Sequence, residues 1–187
     1  MAIKPDTKNL LASSLEKLLE CKSFESITIQ EIVKGCGASR AAFYRHFHDK
    51  QDLMQWFFRS QMEDGFTGYL EDLPKWDLHC ARTVMIMYKH RNIMQKLVLD
   101  KGQNSFTEFL FDTGITHTTN CTRAVLHIDK LPVDISLSIK VWVGGVTYLM
   151  TEWIERGFQE TPESVADAIV ETLPYRLKFI FTNSYTT

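Results

Sequence analysis

The sequence lacks the signatures of several large protein classes. It contains only 4 cysteines, and no two of them form a CxxC pair, so neither a disulfide framework nor a zinc finger is expected. The patterns GxSxG, GxxxxGK[ST], GxGxxG and HExxH of common enzymes are all missing. The longest uncharged run in the apolar second half, residues 141–151, is far shorter than the ~20 residues that cross a bilayer. These absences predict a cytoplasmic globular protein with reduced thiols, no membrane partner and no enzymatic activity.

The chain carries little net charge, and that charge is unevenly distributed. The formal net charge of the 187 residues is −2. Basic residues outnumber acidic ones in residues 1–60, whereas acidic residues outnumber basic ones in residues 61–187. A mildly basic N-terminal part permits nucleic-acid binding there, although the field is weak. The length predicts one domain, or a small domain joined to a second.

The first fifty residues contain only helix signals. Leucines recur at helical spacing between Thr7 and Cys21, which predicts a first helix. Residues 28–31 have the pattern of a capping box, so a second helix is expected to start at Thr28 and to stop at Gly35. Ser39 is expected to cap a third helix over residues 40–47. Two short helices joined by a tight glycine turn predict a helix-turn-helix unit.

The remaining sequence predicts further helices and no convincing strand. Asp49 is expected to cap a fourth helix over residues 49–69, which bridges the two parts of an all-α chain. Residues 1–48 are the predicted DNA-binding domain, and residues 70–187 the predicted helical domain for effector binding and dimerisation. Body helices are expected over residues 76–89, 92–99, 105–126, 132–156 and 162–173. The threonine-rich stretch 114–120 is expected to be a loop, and Pro174 is expected to kink or break the last helix.

The side chains of the third helix fit contact with DNA. Phe43 and Phe47 lie four residues apart and are expected to face inward. Ala41 and Ala42 are small enough to let the backbone approach a groove. Arginines, a tyrosine, a histidine and a lysine are available for base edges or phosphates, namely Arg40, Tyr44, Arg45, His46 and Lys50. The alternative interpretation is a solvated polar face on a small helix.

Residues 29–33, 37–40 and 43–53 together resemble the TetR family of bacterial transcriptional regulators. The most specific part is the pattern Phe-Tyr-x-His-Phe-x-x-Lys-x-x-Leu that begins at Phe43. The resemblance implies a sequence-specific repressor that binds double-stranded palindromic DNA as a homodimer and is controlled by an unknown small-molecule effector. The implied DNA contacts fall on Thr28, Arg40, Ala41, Ala42, Tyr44, Arg45, His46 and Lys50. The family often has Gly-Thr where this chain has Ala41-Ala42, so the threonine hydroxyl is lost at position 42.

Residues 143–146, 153–157 and 161–166 resemble, more loosely, the regulators of dihydroxyacetone kinase operons. This resemblance implies a body that dimerises through its last two long helices. Glycine inside an apolar helix costs intrinsic stability, and close approach of another helix is a plausible offset. The expected interface residues are Gly144, Gly145, Tyr148, Val165 and Ile169.

The body also offers candidates for an effector pocket. Methionines and aromatic residues at helical spacing predict an apolar interior, although such residues are more often plain core. The expected pocket residues are Met85, Tyr88, Met94, Phe109, Trp142 and Tyr148. No metal or other cofactor is expected, because the weak candidate ligands His117 and Cys121 lack a third partner at fixed spacing. A metal-sensing or partner-protein-controlled regulator, and a helical enzyme that does not bind DNA, remain the alternatives.

Overall fold

A computed structural model describes residues 6–66, 76–99 and 106–183, and this part of the chain contains helices and no strand. The predicted all-α fold is therefore confirmed. The helices are α1 (Thr7–Cys21), α2 (Ile29–Cys36), α3 (Arg40–Tyr44), α4 (Lys50–Phe66), α5 (Trp76–Lys89), α6 (Arg91–Val98), α7 (Phe106–Leu126), α8 (Val133–Glu155), α9 (Pro162–Glu171) and α10 (Tyr175–Asn183). Residues 67–69 of the predicted bridging helix lie outside the described residues.

The head is built from α1, α2 and α3 with the start of α4. Leu11, Leu15 and Leu19 of α1 are fully buried, as their helical spacing predicts, and α1 packs against both α2 and α4. The helices α1 and α2 approach closely where Gly35 faces Ser14. The Ser14 hydroxyl there donates a buried hydrogen bond of 2.8 Å to the carbonyl oxygen of Ile32. This contact fixes α2 on α1 and leaves α3 at the surface.

The helices α5 to α10, which we call the body, pack in pairs around an aromatic core. The helix α5 packs against α9, α7 packs against α8, and α10 packs against both α7 and α8. Trp153, Ile154 and Phe181 are almost completely buried in this core. The rings of Trp76 and Phe181 lie flat on each other, with centroids 4.2 Å apart, and this stacking ties α5 to α10.

Two polar contacts join the body to the head through α6. The ammonium group of Lys96 donates to the carbonyl oxygens of Leu19 and Glu20, at 2.6 and 2.8 Å. His90 Nδ1 lies 3.3 Å from a carboxylate oxygen of Glu16. A cation at the carbonyl end of α1 interacts favourably with the helix dipole, so Lys96 stabilises the end of α1 while holding α6 against it.

The structure corrects several predicted boundaries. Residues 114–120 are not a loop but the middle of α7, because Gly114 lets this helix approach Val143 of α8 closely. The helix α3 ends at Tyr44 rather than at residue 47. Pro174 does break the last predicted helix, and a further helix, α10, begins directly after it.

The helix α8 is long and apolar. By length and composition alone it could cross a membrane, and only 28% of its most apolar window is buried. One such helix is weak evidence for a membrane protein, because long apolar helices also pack in the cores and interfaces of soluble proteins.

Candidate DNA-binding surface and body cavity

The turn between α2 and α3 is held by caps at both helices. The hydroxyl of Thr28 accepts from the backbone N–H of Glu31, and the Glu31 carboxylate accepts from the backbone N–H of Thr28, which completes the predicted capping box. A hydrogen bond from Lys22, together with those from Thr28, lowers the pKa of Glu31 to about 2. Gly37 then ends α2 with a φ of 70°, a left-handed conformation that glycine adopts without a steric penalty. This turn sets the direction in which α3 leaves α2.

The helix α3 presents polar side chains on its outer surface. Ser39 caps it by accepting from the backbone N–H of Ala42 at 3.0 Å. Phe43 is fully buried and anchors α3 to the head, as predicted. The opposite side of α3 and the turn after it expose the candidate DNA contacts Arg40, Ala41, Tyr44, Arg45 and His46, whereas Ala42 is half-buried.

Tyr44 is half exposed and yet held in place. Its ring meets the ring of Phe43 edge to face, with centroids 5.4 Å apart. An aromatic side chain that is fixed on a buried neighbour loses little further freedom when it binds. Tyr44 therefore offers a hydroxyl in a defined position on the outer surface of α3.

Lys50, which is predicted to contact a phosphate, is engaged within the subunit in this structure. Its ammonium group donates to the carbonyl oxygens of Phe24, Glu25 and Ile27, at 2.8, 2.8 and 3.0 Å. It also lies 4.8 Å from the centre of the Phe24 ring. Three hydrogen bonds account for the three N–H donors of an ammonium group. Lys50 thus holds the loop between α1 and α2, and it positions Thr28 rather than reaching outward.

The body contains a cavity of about 120 Å³ between α5, α7 and α8. The residues that line it are apolar, aromatic or small and polar. They include Trp76, His79, Cys80, Thr83 and Met87 of α5, Thr113, Gly114, His117 and Thr118 of α7, Trp142, Val146, Thr147 and Met150 of α8, and Ile169 of α9. Of the residues predicted for an effector pocket, only Trp142 lines this cavity.

The other predicted pocket residues lie elsewhere. Met85 and Tyr148 are exposed, Met94 and Phe109 are buried in the core, and the Tyr88 ring stacks near that of Trp153. The prediction rests on residue type, whereas the lining of the cavity is determined by which faces of the helices point inward. A better signal is the run of Trp76, Cys80, Thr83 and Met87 at helical spacing, because small polar residues interrupt an otherwise apolar face there.

Two histidines stack in the cavity wall. The rings of His79 and His117 are nearly parallel, with centroids 4.6 Å apart, and the Trp76 ring lies beside both. Burial is the main reason that the pKa of His79 falls to about 3 and that of His117 to about 4. Burial also raises the pKa of the Cys80 thiol to about 12. These side chains are therefore uncharged at neutral pH.

The described residues contain no group of three potential metal ligands. The Cys121 thiol does lie 3.4 Å from Nε2 of His117, as their spacing of four residues on a helix predicts. A thiol and an imidazole alone do not complete the four-coordinate site that zinc requires. The structure thus lends no support to the metal-sensing alternative within this part of the chain.

Comparison with known families matches both parts of the chain. A model described as bacterial regulatory proteins of the tetR family matches residues 13–55. A second TetR model, described as a transcriptional regulator C-terminal region, matches residues 74–175, which is more than half of the chain. The chain belongs to the TetR family. Both models describe regulators of transcription, in agreement with the resemblance of residues 29–53.

The individual proteins that are similar to this TetR family chain include a curated regulator and a solved structure. The HTH-type transcriptional regulator EthR of Mycolicibacterium smegmatis is 28% identical over 72 residues, which make up 37% of this chain and 33% of that protein. The match therefore spans about a third of the length of this relative. The solved structure of the dihydroxyacetone kinase operon activator DhaS superposes with a TM-score of 0.66, at 16% identity, over 92% of this chain and 97% of that one. At this identity the likeness shows a shared fold.

The TetR body exposes an apolar surface on α8. Four large apolar side chains recur along it at spacings of four and seven residues, and they are between 55% and 78% exposed, namely Val133, Leu137, Val141 and Tyr148. Gly145 lies on the same side, and nothing lies within 4 Å of the position that a Cβ atom would take there. We call these five residues the α8 surface.

The two interface residues that were predicted on α9 are placed differently. Val165 and Ile169 are buried within the subunit, because α9 turns this face toward α5. Their burial against α5 leaves little of these two side chains for contact with a second subunit. A Cβ atom at Gly144 would lie 3.7 Å from the ring of Phe111 in the same subunit, which is an ordinary contact distance.

Proposed function

We propose that this TetR regulator is a cytoplasmic, non-enzymatic homodimer that binds a palindromic operator and responds to a small molecule in the body cavity. The observation that carries the DNA-binding proposal is the outer surface of α3. Buried Phe43 and the left-handed Gly37 hold this surface in place, and its exposed side chains are hydrogen-bond donors and cations rather than apolar groups. Such a surface is suited to bases and phosphates in a major groove.

The proposal gives the exposed residues different roles. Arg40, in the first turn of α3, is placed to read a base edge, since arginine binds guanine with two hydrogen bonds. Tyr44, Arg45 and His46 donate to phosphate oxygens, and Ala41 allows close approach. The hydroxyl of Thr28 is engaged in the capping box. Thr28 therefore contributes by holding the N-terminus of α2 in position toward the DNA.

A binding experiment with two arginine variants tests this proposal. Arg40→Ala should weaken binding to a selected operator by roughly 1–3 kcal/mol and leave binding to random DNA nearly unchanged. Arg82→Ala is the matched control, because Arg82 is exposed on α5 of the body and its replacement by alanine removes the same charge. Equal losses for both variants, or an Arg40→Ala protein that binds the operator normally, would contradict the role of α3.

The α8 surface supports the homodimer. Monomeric proteins seldom leave a contiguous row of large apolar side chains in water, and TetR family regulators bind DNA as dimers. A second copy that packs α8 against α8 would cover the row by two-fold symmetry, with Gly145 allowing close contact. Such a dimer would bring two α3 helices to bear on one DNA molecule, and a palindromic site presents two half-sites to them.

The body cavity supports effector control. It lies between α5, α7 and α8, and α6, which contacts α8, is joined to α1 of the head by Lys96 and His90. A ligand that alters the packing of these helices would change the position of one head relative to the other head of the dimer. The size of the change in DNA affinity is limited by the difference between the ligand affinities of the DNA-binding conformation and the released conformation.

A further inference from the structure

The described part of the cavity wall carries no ionised group. Among the lining residues that the structure describes, none is Asp, Glu, Lys or Arg. Its two histidines, His79 and His117, are neutral at pH 7, because burial lowers both pKa values well below their usual range. A charged ligand would lose its hydration here without gaining a partner of opposite charge. The cavity therefore selects for uncharged compounds.

The aromatic part of the wall favours a flat ligand. The rings of His79 and His117 are within 18° of parallel, and the Trp76 ring lies within 17° of His117. The Trp142 ring adds a second aromatic surface, with its centroid 5.8 Å from that of Trp76. Aromatic rings gain more from offset stacking and edge-to-face contact than saturated groups of the same size do.

One hydrogen-bond donor in the wall has no partner. Trp142 is 92% buried, and its indole N–H makes no hydrogen bond within the described residues. The indole N–H of Trp153, eleven residues later on the same helix, instead donates to the carbonyl oxygen of Glu160 at 3.0 Å. Buried donors are almost always paired, so an unpaired one in a cavity wall points to an acceptor supplied by a ligand.

The size of the cavity suits a ligand with a single ring. Its volume of about 120 Å³ is of the order of the ~150 Å³ cavity that accommodates benzene in another protein. We propose that the cavity binds a neutral, single-ring aromatic compound with a hydrogen-bond acceptor, its ring against the stacked side chains of His79 and His117 and its acceptor at the indole N–H of Trp142. This inference rests on the proposed function, in which the cavity receives the effector.

Four compounds of similar shape test each part of the inference by titration calorimetry on the full chain. Acetophenone has the ring and the acceptor, α-methylstyrene replaces its oxygen by carbon, cyclohexyl methyl ketone lacks the aromatic ring, and benzoate is charged. Acetophenone should bind more tightly than the other three. Equal binding of the saturated ketone would overturn the aromatic class, equal binding of benzoate would overturn the neutral class, and absence of acetophenone binding would overturn the inference as a whole.

The variant Trp142→Phe isolates the indole N–H. It should weaken acetophenone binding about two- to tenfold, as expected for one hydrogen bond, and leave α-methylstyrene binding unchanged. Trp153→Phe is the matched control, because it makes the same replacement on α8 at a position that does not line the cavity. Equal weakening of both compounds in Trp142→Phe, or no weakening, would overturn the acceptor role, and the wild-type panel decides the class of ligand even if this variant fails to fold.

The outcome for the ligand is separate from the outcome for DNA. Gel shifts of the protein without ligand test the DNA-binding proposal alone. If acetophenone binds but leaves the DNA complex unchanged at saturation, the ligand class stands and effector control is wrong. If the protein fails to bind any DNA, the proposed function is wrong whatever the calorimetry shows.

Discussion

Position 35 in the head requires glycine because there is no space for a side chain, and not because the backbone adopts an unusual conformation there. A Cβ atom at this position would lie 2.3 Å from the Ser14 hydroxyl oxygen, well inside contact distance. That hydroxyl is itself buried and donates to the carbonyl oxygen of Ile32. The helices α1 and α2 thus meet at a serine and a glycine that exclude larger neighbours.

The pair Gly35 and Ser14 can be tested by a mutant cycle. Gly35→Ala should destabilise the protein, because the clash outweighs the gain in helix propensity of up to about 1 kcal/mol. In a Ser14→Ala background the same change should be neutral or stabilising, since the obstructing oxygen is gone. Urea unfolding of the four proteins measures the coupling, and the same effect of Gly35→Ala in both backgrounds would contradict the contact.

Lys50 gives a second test at the scale of one residue. Because its ammonium group is engaged with three backbone carbonyls, Lys50→Gln should lower the free energy of unfolding by about 1–3 kcal/mol. The slope of DNA affinity against salt concentration should stay the same, since no phosphate contact is lost. Lys34→Gln serves as the control for a lost exposed charge in the head. A salt slope lowered by about one unit in Lys50→Gln would restore a phosphate-binding role.

The stacked histidines predict a pH dependence of stability. In the unfolded chain they bind protons below about pH 6.5, whereas in the folded protein His79 does so only near pH 3 and His117 only near pH 4. The unfolded state therefore binds more protons as the pH falls below 6.5, and the free energy of unfolding falls with it. The contribution of these two histidines to stability is complete at about pH 7 and is lost as the pH falls toward 3.

The variant His117→Gln measures this effect. Its stability should depend less on pH than that of the wild type between pH 6.5 and pH 4, by up to about 1.4 kcal/mol per pH unit. His48→Gln is the control, because His48 is exposed in the head. Denaturant melts at several pH values give the comparison, and parallel curves for wild type and His117→Gln would show that the buried histidine does not titrate as described.

At the scale of helices, local signals predict the head well and the middle of the body poorly. The starts of α2 and α3 could be read from Thr28 and Ser39, because a capping side chain satisfies backbone groups within its own turn. The threonine-rich middle of α7 has weak helix propensity, and the residue that fits it to the body is Gly114, which faces Val143 of another helix. Contacts of this kind are absent from the local sequence.

The site follows the same division. Residues exposed on α3 could be predicted, because their roles follow from the turn before them and from the family pattern. Lys50 could not, since its partners are carbonyl groups on a loop more than twenty residues earlier in the chain. The cavity residues were missed because their position depends on which faces of α5, α7 and α8 are turned toward one another.

The α8 surface predicts how subunits associate. Val141→Glu should give a monomer that keeps its helical circular dichroism, because Val141 is 78% exposed within one subunit. Met85→Glu is the matched control, since it puts the same charge on an exposed apolar position of α5. Light scattering at micromolar concentration reports the mass. A Val141→Glu dimer that still binds DNA would show that the subunits associate elsewhere.

At the scale of the whole molecule, the proposal requires that one subunit alone does not bind DNA with sufficient sequence specificity. The helix α3 has five residues and a short row of exposed side chains, which is too small a surface to select a site in a genome. Two copies related by two-fold symmetry double that surface and demand a palindrome. The symmetry of the bound sequence therefore reports on α3 and on the dimer together.

In vitro selection of double-stranded DNA from a random pool is the most direct test of this account. The wild-type protein should enrich an inverted repeat whose half-sites are separated by about one helical turn, 10–10.5 base pairs, or a multiple of it. Arg40→Ala should relax the choice of base at one symmetric pair of positions. Enrichment of an asymmetric site, or no enrichment over the starting pool, would contradict a dimeric, sequence-specific regulator.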